Sequence, residues 1–547
     1  MIFSLLSPRW GPRHDKDLYK ECLERCRTLA CCARVCTSFL DPALDVLWRA
    51  LNSIHPILQL LPITTIDRTV SSPCHDLEYG QYANLRTPLC LQVMLTEVTP
   101  ARWARFQQYA QRVRVLIRPN AIDYVHQSVW MLLGSLLQGA PLLPRLVRLS
   151  LDILVNRPAD YLCLLSPSLR NLELSFNDNS REILRGMEAP IALAFLQVVI
   201  PKVPDLETLL LPSHSTRRFC EKFVQSLAGF ATLRSLHIGH SNLPVNHAAL
   251  LALSHMSSLH SLHITLSPGH NARGNGSSRR SPTYIFPCLQ DLNIDGTLGD
   301  LAQFFDSAEL QTLIKLTISA KPNVGLEPDW KVAVHLILAT LPQGLRSLRF
   351  MTSEYCHKFP KSSTTYSVLE LFEPCLSFIN LEVFEAIFCV YEPHLGDEDI
   401  IGLASAWPKL HIMCISYYDS WVQPSPLRRP TVRTLIELAQ LAQRCPSLHE
   451  FEVSTLDVSS MCAKGAIPAA CHRGLRALKI HTLVGGTTVD NLSDFALMLD
   501  SLFPRLDTNA TDIKPVKCDV GALLEDVQAQ RRQEQQDDTF LTQDDEV

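Results

Sequence analysis

The chain has 547 residues, of which 46% are hydrophobic and 19% are charged, and its formal net charge at pH 7 is −5. This composition is typical of a chain that buries a large core, and it excludes a protein that is disordered throughout. No run of five or six basic residues occurs, so no nucleic-acid partner is expected. No apolar run reaches the eighteen residues of a transmembrane helix, so no membrane partner is expected either.

The opening residues do not look like an export signal, because their apolar run is only five residues long and no basic residue precedes it. The chain is therefore expected in the cytoplasm, the nucleus or both. Its 18 cysteines are expected to be reduced and mostly buried. The cluster of Cys22, Cys26, Cys31, Cys32 and Cys36 contains no CxxC pair. Packing on one side of a helix is favoured over a metal site there, so no metal is expected.

Residues 27–60 place apolar side chains at helical spacing with a break at Asp41 and Pro42, which predicts two short helices. A Phe in this segment is followed by Asp-Pro-Ala-Leu and then by Leu-Trp-Arg, which ends at Arg49. The pattern closely resembles the second half of the F-box of fungal F-box proteins. The matching residues are Leu29, Ala33, Val35, Cys36, Phe39, Asp41, Pro42, Ala43, Leu44, Leu47, Trp48 and Arg49.

This resemblance implies a partner for the N-terminal helices. In F-box proteins the F-box binds a Skp-type adaptor, which joins it to a cullin scaffold, while a repeat domain presents a protein substrate to the ubiquitin ligase. The resemblance therefore implies no catalysis and no cofactor in this chain. The adaptor-binding side chains that it implies are Ile2, Phe3, Leu6, Leu29, Ala33, Val35, Cys36, Phe39, Pro42, Leu44, Leu47 and Trp48.

The chain departs from the F-box pattern at the first helix, which normally reads Leu-Pro-x-Glu-Ile-x-x-x-Ile-Phe. Only Ile2, Phe3, Leu5 and Leu6 stand in that place, and a helix of about five residues is too short to nucleate alone in water. Two interpretations remain open. The segment is an F-box that binds its adaptor, or it is a helical cap of a repeat domain with Trp48 in the core.

Two more helices are predicted before the repeats. Thr99 is a candidate N-cap and Pro100 a candidate first residue of a helix whose apolar side chains, from Trp103 to Val113, share one face. The next helix carries apolar side chains from Ile122 to Leu136 and ends at Gly139. Together these helices are predicted to shield the first repeat from water.

One short pattern, Leu-x-x-apolar-x-apolar, then recurs twelve times. The spacing between copies varies from 23 to 38 residues and averages near 30, close to that of leucine-rich repeats. Helical spacing occurs between copies, and Asp397 and Thr431 are candidate N-caps of two of these helices. The copies begin at Leu146, Leu169, Leu206, Leu233, Leu259, Leu289, Leu313, Leu345, Leu381, Leu410, Leu448 and Leu475.

Such strand–helix units can stack only as a right-handed parallel solenoid, because each unit alone leaves its apolar face open. The predicted fold class is therefore α/β. It is a leucine-rich-repeat horseshoe of about twelve irregular repeats, with a parallel concave sheet, convex helices and a small all-α F-box-like segment in front. A doubly wound sheet is the alternative, and it is disfavoured because no glycine-rich phosphate turn follows a strand.

Composition also divides the chain into segments. A glycine- and serine-rich stretch at 267–283 predicts a mobile surface insertion. The Gln- and Asp-rich end from Gln528 predicts disorder or a frayed helix. The predicted domains are the F-box-like segment, a linker, the helical cap, the solenoid and the acidic tail, at 1–61, 62–98, 99–140, 141–510 and 511–547.

Alternation within each copy points its fourth and sixth residues into the core and its third, fifth and seventh residues outward. The outward positions predict a polar strip in which His237 and His263 are neighbours, which would make peptide binding sensitive to pH. The later carboxylates predict a partner of basic character, and plain solvated surface is the alternative. The predicted substrate-binding residues are His237, His263, Asp291, Asn293, Asp295, Arg349, Glu385, Glu450 and Glu452.

No local motif for nucleotide, zinc-protease, serine-hydrolase or dinucleotide chemistry occurs, so the chain is not expected to be an enzyme. The favoured function is the substrate receptor of an SCF-type cullin-RING ubiquitin ligase. The alternative is a leucine-rich-repeat scaffold whose F-box has decayed. A GTPase regulator with an exposed Arg finger is a third possibility, to which no motif points.

Overall fold

The structure is a computed structural model in which two compact units, Met1–Leu259 and His260–Val547, are distinguished. The residues that it describes are 2–8, 16–68, 89–94, 97–117, 125, 127–154, 158–177, 188–211, 221–238, 244–267, 284–321, 330–352, 366–389, 393–417, 441, 443–458, 474–484, 489–513 and 520–544. Within these ranges no helix is both long enough and apolar enough to cross a lipid bilayer.

The first unit opens with helices. A short 3-10 helix, Ile2–Leu6, precedes α1 (Lys16–Cys32), α2 (Thr37–Leu47) and α3 (His55–Leu58). The break predicted at Asp41 and Pro42 is wrong, because α2 continues through them and the chain turns at residues 33–36 instead. Proline removes only one helical hydrogen bond, and the fully buried Ala43 holds α2 in place.

The rest of the first unit alternates strands and helices. Its strands are β1 (Ala50–Leu51), β2 (Ile63–Arg68), β3 (Leu89–Met94), β4 (Val115–Leu116), β5 (Arg148–Leu154), β6 (Asn171–Asn177), β7 (Thr208–Leu211), β8 (Ser235–Ile238) and β9 (Pro244–Val245). Its helices are α4 (Pro100–Ala110), α5 (Gln127–Leu137), a 3-10 helix (Pro158–Leu164), α6 (Glu188–Lys202), α7 (Glu221–Leu227) and α8 (His247–Ser254). Strands β1, β4, β5, β6, β7 and β8 pair in parallel in that order.

The parallel sheet begins earlier than residue 141, where the solenoid was predicted to start. Strand β1 lies in the predicted F-box-like segment and β4 in the predicted helical cap, so helices α4 and α5 alternate with strands as repeat units do. Leu51 and Leu116 are buried like the fourth residue of a copy. The pattern was missed because Trp48 and Val113 replace the first Leu. The predicted linker, 62–98, also contains structure, since β2 and β3 pair antiparallel.

The second unit has the same alternation. Its strands are β10 (Ser261–Leu266), β11 (Tyr284–Ile285), β12 (Asp291–Thr297), β13 (Ala308–Glu309), β14 (Lys315–Lys321), β15 (Ser347–Thr352), β16 (Val383–Phe388), β17 (Ile412–Tyr417), β18 (Glu450–Asp457), β19 (Ala477–Val484) and β20 (Asp512–Ile513). Its helices are α9 (Leu298–Ser307), α10 (Trp330–Ala339), α11 (Val368–Leu371), a 3-10 helix (Glu373–Ser377), α12 (Asp397–Ala406), α13 (Val489–Leu502) and α14 (Val520–Asp544). All strands but β11 and β13 pair in parallel in chain order.

The predicted parallel α/β repeat fold is confirmed copy by copy. Each of the twelve predicted strands begins two residues after the first Leu of its copy. That Leu and the fourth and sixth residues are at most 3% exposed in every copy. Because successive strand residues point to opposite faces, this burial fixes the register of each strand and turns the third and fifth residues away from the core.

Hydroxyl groups connect neighbouring repeats at the turns that enter four of the strands. In four copies a Ser or Thr just before the first Leu donates to main-chain carbonyls of the preceding copy, including that of its first Leu. The bonded pairs are Ser168 with Leu146, Thr232 with Leu206, Ser258 with Leu233 and Thr312 with Leu289, at 2.9, 2.9, 2.8 and 2.9 Å between oxygens. These bonds satisfy carbonyls at the turns that enter the strands.

Helix starts follow the sequence with one correction. Thr99 caps α4 by accepting a hydrogen bond from the Arg102 amide, as predicted. Asp397, however, is the first residue of α12 rather than its N-cap. The carboxylate that closes this helix start belongs to Asp399, which accepts a hydrogen bond from the Gly396 amide at 2.6 Å. The candidate cap Thr431 and nearly all of the insertion at 267–283 lie outside the described residues.

The predicted disorder of the C-terminal tail is wrong, because α14 packs against α13. Val520 and Leu524 are fully buried one helical turn apart. The Gln528 amide donates to the Leu506 carbonyl at 3.0 Å, and Arg531 pairs with Asp500 at 3.0 Å. Val520 and Leu524 are spaced so that both face the core, which an average over composition does not reveal.

Candidate functional site

The N-terminal helices expose large apolar side chains at one end of the first unit. Leu5, Val35, Phe39 and Leu40 are 79%, 69%, 43% and 41% exposed. Val35 lies in the turn between α1 and α2, and Phe39 and Leu40 lie in the first turn of α2. The 3-10 helix that carries Leu5 packs on both helices, and its Phe3 ring meets Phe39 edge to face with 5.4 Å between ring centroids.

The predicted adaptor-binding residues divide by exposure. Val35, Cys36, Phe39 and Pro42 are exposed. The prediction that Leu29 and Ala33 contact the adaptor is wrong, since both side chains are buried and unavailable to a partner. They were included because the F-box pattern gives residue types without separating the core from the surface. The half-buried members are Phe3, Leu6, Leu44, Leu47 and Trp48, and the side chain of Ile2 lies outside the described residues.

Charged residues fix α2 to the segment that follows α4. Arg112 pairs with the carboxylates of Asp41, at 2.6 Å, and of Asp45, and it also donates to the Asp41 carbonyl. Trp48 packs on Tyr109 with 4.7 Å between ring centroids. Asp41, within the helical Asp-Pro-Ala-Leu stretch of α2, thus makes contacts within the chain, while the apolar side chains ahead of it stay exposed.

The N-terminal cysteines are less buried than predicted. Cys22 is buried, Cys26 and Cys32 are half-buried, and Cys31 and Cys36 are exposed, all as free thiols. Burial, with a smaller contribution from Cys22, raises the pKa of Cys26. Among the residues that the structure describes, no group of three His, Cys, Asp or Glu side chains is arranged to hold a metal ion.

On the second unit, the fifth residues of successive copies form one continuous row across the sheet, which we call the middle row. Each member pairs with the next on the neighbouring strand, so the row follows from strand register alone. The middle row consists of His263, Asn293, Thr317, Arg349, Glu385, Cys414, Glu452 and Lys479.

Charges in this row are paired between neighbouring strands. Arg349 donates two hydrogen bonds to the Glu385 carboxylate, at 2.5 and 2.7 Å. This pairing raises the pKa of Arg349 despite its partial burial. Lys479 bonds to Glu450 and lies 3.8 Å from Glu452. The predicted acidity of this region is therefore largely neutralised by cations of adjacent repeats.

A histidine outside the predicted set completes the cluster. Nε2 of His481 lies 3.0 Å from Oε1 of Glu452, and this hydrogen bond lowers the pKa of Glu452. Cys414 lies between the two glutamates of the middle row, where burial raises the pKa of its thiol to about 12. The side chains of Glu385 and Glu452 are only 14% and 12% exposed. The positions of both carboxylates are thus fixed by their hydrogen bonds and by burial.

Two predicted substrate-binding residues are buried. His263 and Asp295 are 8% and 1% exposed, and the Thr265 hydroxyl donates to Asp295 at 3.3 Å. Asp291, at the outer edge of the strip, pairs with Lys315 at 3.3 Å. Asn293 is half-buried in the middle row. The open part of the strip is therefore smaller than expected.

His237 is half-buried on β8 of the first unit, whereas His263 belongs to β10 of the second. The adjacency of these two histidines stays a prediction. Apolar side chains also reach the polar face of the second unit, where Met351, Val383, Ile387 and Ile412 are half-buried beside the paired charges. This face thus offers both apolar area and fixed charges.

Comparison with known proteins finds similarity among solved structures only. No family model and no curated protein matches the chain. Among solved structures, a chain from "Crystal structure of Rad7 and Elc1 complex in yeast" is similar over 68% of this chain and 78% of that chain, with 14% sequence identity and a TM-score of 0.36. At this TM-score the similarity says nothing further about the present chain.

Sequence reasoning missed Arg112, Cys414, Lys479 and His481 as parts of these two regions. Cys414, Lys479 and His481 occupy the fifth or seventh position of their copies. The same alternation of inward and outward residues that predicted the position of Glu385 therefore also predicts that these three side chains point outward. Arg112 carries no such signal. Its partners lie 67 and 71 residues away in sequence.

Proposed function

We propose that this chain is the substrate-recognition subunit of an SCF-type cullin-RING ubiquitin ligase. In this proposal the N-terminal helices bind a Skp-type adaptor, which links the chain to a cullin, and the repeats bind a protein substrate. The chain performs no chemistry of its own and acts in the cytoplasm, the nucleus or both. It needs no metal or cofactor.

One observation carries the adaptor half of the proposal. Val35, Phe39 and Leu40 stay exposed within a stretch of six residues, although Cys22, Leu29 and Ala33 around them are buried. Exposed apolar side chains scattered singly need no explanation, but a group at one helix junction is typical of a surface that a partner covers. The residues involved belong to the segment that resembles an F-box.

The substrate half is supported by the polar face of the second unit. There the Arg349–Glu385 pair and the glutamates around Lys479 are fixed by hydrogen bonds, and half-buried apolar side chains lie among them. Preorganised charges next to apolar area are suited to an extended protein segment, since little side-chain entropy remains to be lost on binding. A partner with some basic character is expected, because two carboxylates, those of Glu450 and Glu452, lie around the single ammonium group of Lys479.

The adaptor half can be tested with one matched pair of variants. Val35→Glu places a charge in the exposed group of the N-terminal helices, and Val332→Glu places the same charge at a 52% exposed valine on α10 of the second unit. Purified Skp-type adaptor should be retained by the full chain and by Val332→Glu. Its retention by Val35→Glu should fall at least about tenfold, because an unpaired charge would be buried at the interface.

Failure of the unaltered chain to retain the adaptor, with its circular dichroism spectrum intact, would contradict the proposal. Equal retention by Val35→Glu and Val332→Glu would contradict the assigned surface. A chain that binds no adaptor would instead be a repeat scaffold whose F-box has decayed.

A further inference from the structure

A second set of side chains lies along the edge of the sheet where the strands of the second unit begin. The second residue of each copy precedes its strand, and its amide donates to the carbonyl of the equivalent residue in the preceding repeat. These bonds are 2.7 to 2.8 Å long for Glu382, His411, His449, Arg476 and Asp507. We call these five residues the edge column. Their regular spacing of about 4.8 Å sets their side chains next to one another.

In the described part of the chain, no carboxylate pairs with the middle of the edge column. The rings of His411 and His449 are stacked with 5.4 Å between centroids and 27° between planes, and Arg476 is the next residue along. His449 and Arg476 are exposed, and His411 is half-buried. Within the described part of the chain, none of these three side chains forms an ion pair or a hydrogen bond.

The carboxylates at both ends of the edge column are engaged elsewhere. Glu382 pairs with Arg346 at 3.3 Å, on the side away from His411. The Asp507 carboxylate accepts a hydrogen bond from the Asn509 amide at 2.9 Å, within its own turn. Lys409, just before His411 in sequence, is another cation and donates to the Asn380 side chain at 2.8 Å. Among the described residues, the three central side chains therefore form a patch of donors that no carboxylate bonds directly.

We propose that His411, His449 and Arg476 bind a dianionic phosphoryl group, either as free phosphate or on a phosphorylated side chain. A guanidinium presents two parallel N–H donors to phosphate oxygens, and charge-assisted bonds of this kind are about twice as strong as neutral ones. Each imidazole adds an N–H donor. The stacked rings place these donors side by side, so one phosphoryl group can accept from both rings and from Arg476.

The site can be tested on the full chain with histidine labelled by carbon-13 at Cε1. His411→Gln and His449→Gln assign two of the signals. Adding inorganic phosphate at constant ionic strength should shift both signals along one binding curve. Arg476→Gln should weaken that binding about tenfold or more, because the bidentate ion pair is lost. Arg234→Gln removes an arginine from the same position of a copy in the first unit, and it should leave the curve unchanged.

A phosphoserine peptide and its unphosphorylated form distinguish the two sources of the phosphoryl group. Tighter binding of the phosphopeptide than of inorganic phosphate, with none of the unphosphorylated peptide, would assign the site to a phosphorylated protein. Equal or weaker binding of the phosphopeptide would assign it to free phosphate. The proposal is overturned if neither signal moves with phosphate, or if Arg476→Gln and Arg234→Gln give the same curve. It does not depend on whether the chain binds a Skp-type adaptor.

Discussion

The N-terminal helices and the repeat strands of the second unit treat apolar side chains in opposite ways. Each copy buries its fourth and sixth residues to 3% or less, and outward charges of several strands, such as Arg349 with Glu385 and Lys479 with Glu450, are paired across neighbouring strands. The N-terminal helices leave Val35, Phe39 and Leu40 open at one junction. Fully buried apolar side chains stabilise the fold, whereas exposed apolar side chains grouped beside a well-formed core are typical of a surface that a partner covers.

The largest expected effect contrasts one phenylalanine from each region. Phe384 is fully buried, with ring centroids 5.0 Å from Phe372 and 4.7 Å from Trp407. Phe384→Ala should lower the free energy of unfolding by about 3 to 5 kcal/mol. Phe39→Ala should cost about 1 kcal/mol or less, since the ring is already partly in water. Denaturant titrations followed by circular dichroism would measure the free energy of unfolding of both variants. Similar losses in the two would contradict the expected difference.

A smaller effect is expected at the paired charges of the middle row. Arg349→Met removes two hydrogen bonds from the largely buried Glu385 carboxylate and should cost about 1 to 2 kcal/mol. Arg346→Met removes one 3.3 Å contact to Glu382 at the surface and should cost about 0.5 kcal/mol or less. The same unfolding titrations compare the two variants. A greater loss of unfolding free energy in Arg346→Met than in Arg349→Met would mean that the Arg349–Glu385 pair does not stabilise the middle row.

The hydroxyl bonds between repeats should each contribute about 1 kcal/mol. Thr232→Val keeps the shape of the side chain but removes the donor to the Pro204 and Leu206 carbonyls. Thr482→Val, at an exposed position of β19, makes the same change without such a bond and should be close to neutral. Thermal unfolding midpoints of the two variants would decide the point, and equal midpoints would exclude a role for these hydroxyls.

The smallest effect is a dependence of stability on pH. The hydrogen bond with His481 holds the pKa of Glu452 below its ordinary value of 4.5. Because the lower pKa belongs to the folded state, this stabilisation is present above the ordinary pKa and is lost as pH falls through the folded-state pKa. His481→Leu removes the N–H donor, and this variant should therefore lose less stability than the unaltered chain as pH falls below about 4.5, by about 1 kcal/mol or less. Parallel acid titrations of the unfolding midpoint in the two proteins would reveal this, and curves of equal slope would contradict it.

How far sequence predicted the fold depended on whether a signal was local. The twelve strands were found because each copy carries its own alternation of buried and outward residues, which a parallel sheet requires. Strands β1 and β4 escaped because Trp48 and Val113 stand where the other copies have Leu. Helix α14 escaped because two buried residues, Val520 and Leu524, are outweighed by the polar composition around them.

The candidate sites were predicted less completely. Glu385, Glu450 and Glu452 were placed on the correct face, but their pairing with Arg349 and Lys479 depends on which side chains meet across two strands. The burial of His263 and Asp295 likewise depends on the size of their neighbours rather than on strand period. The F-box-like pattern located the N-terminal surface. It could not separate exposed Val35 from buried Leu29, since both are apolar residues of one short segment.

We propose that the exposed apolar group on the N-terminal helices binds a Skp-type adaptor. Calorimetric titration of the full chain with the purified adaptor at several temperatures tests this most directly. We expect one adaptor per chain and a negative heat-capacity change of binding, as burial of apolar surface requires. Val35→Glu should give no binding heat, and Val332→Glu should give the same heat as the unaltered chain. Absence of binding by the folded chain, or identical titrations for the two variants, would contradict it.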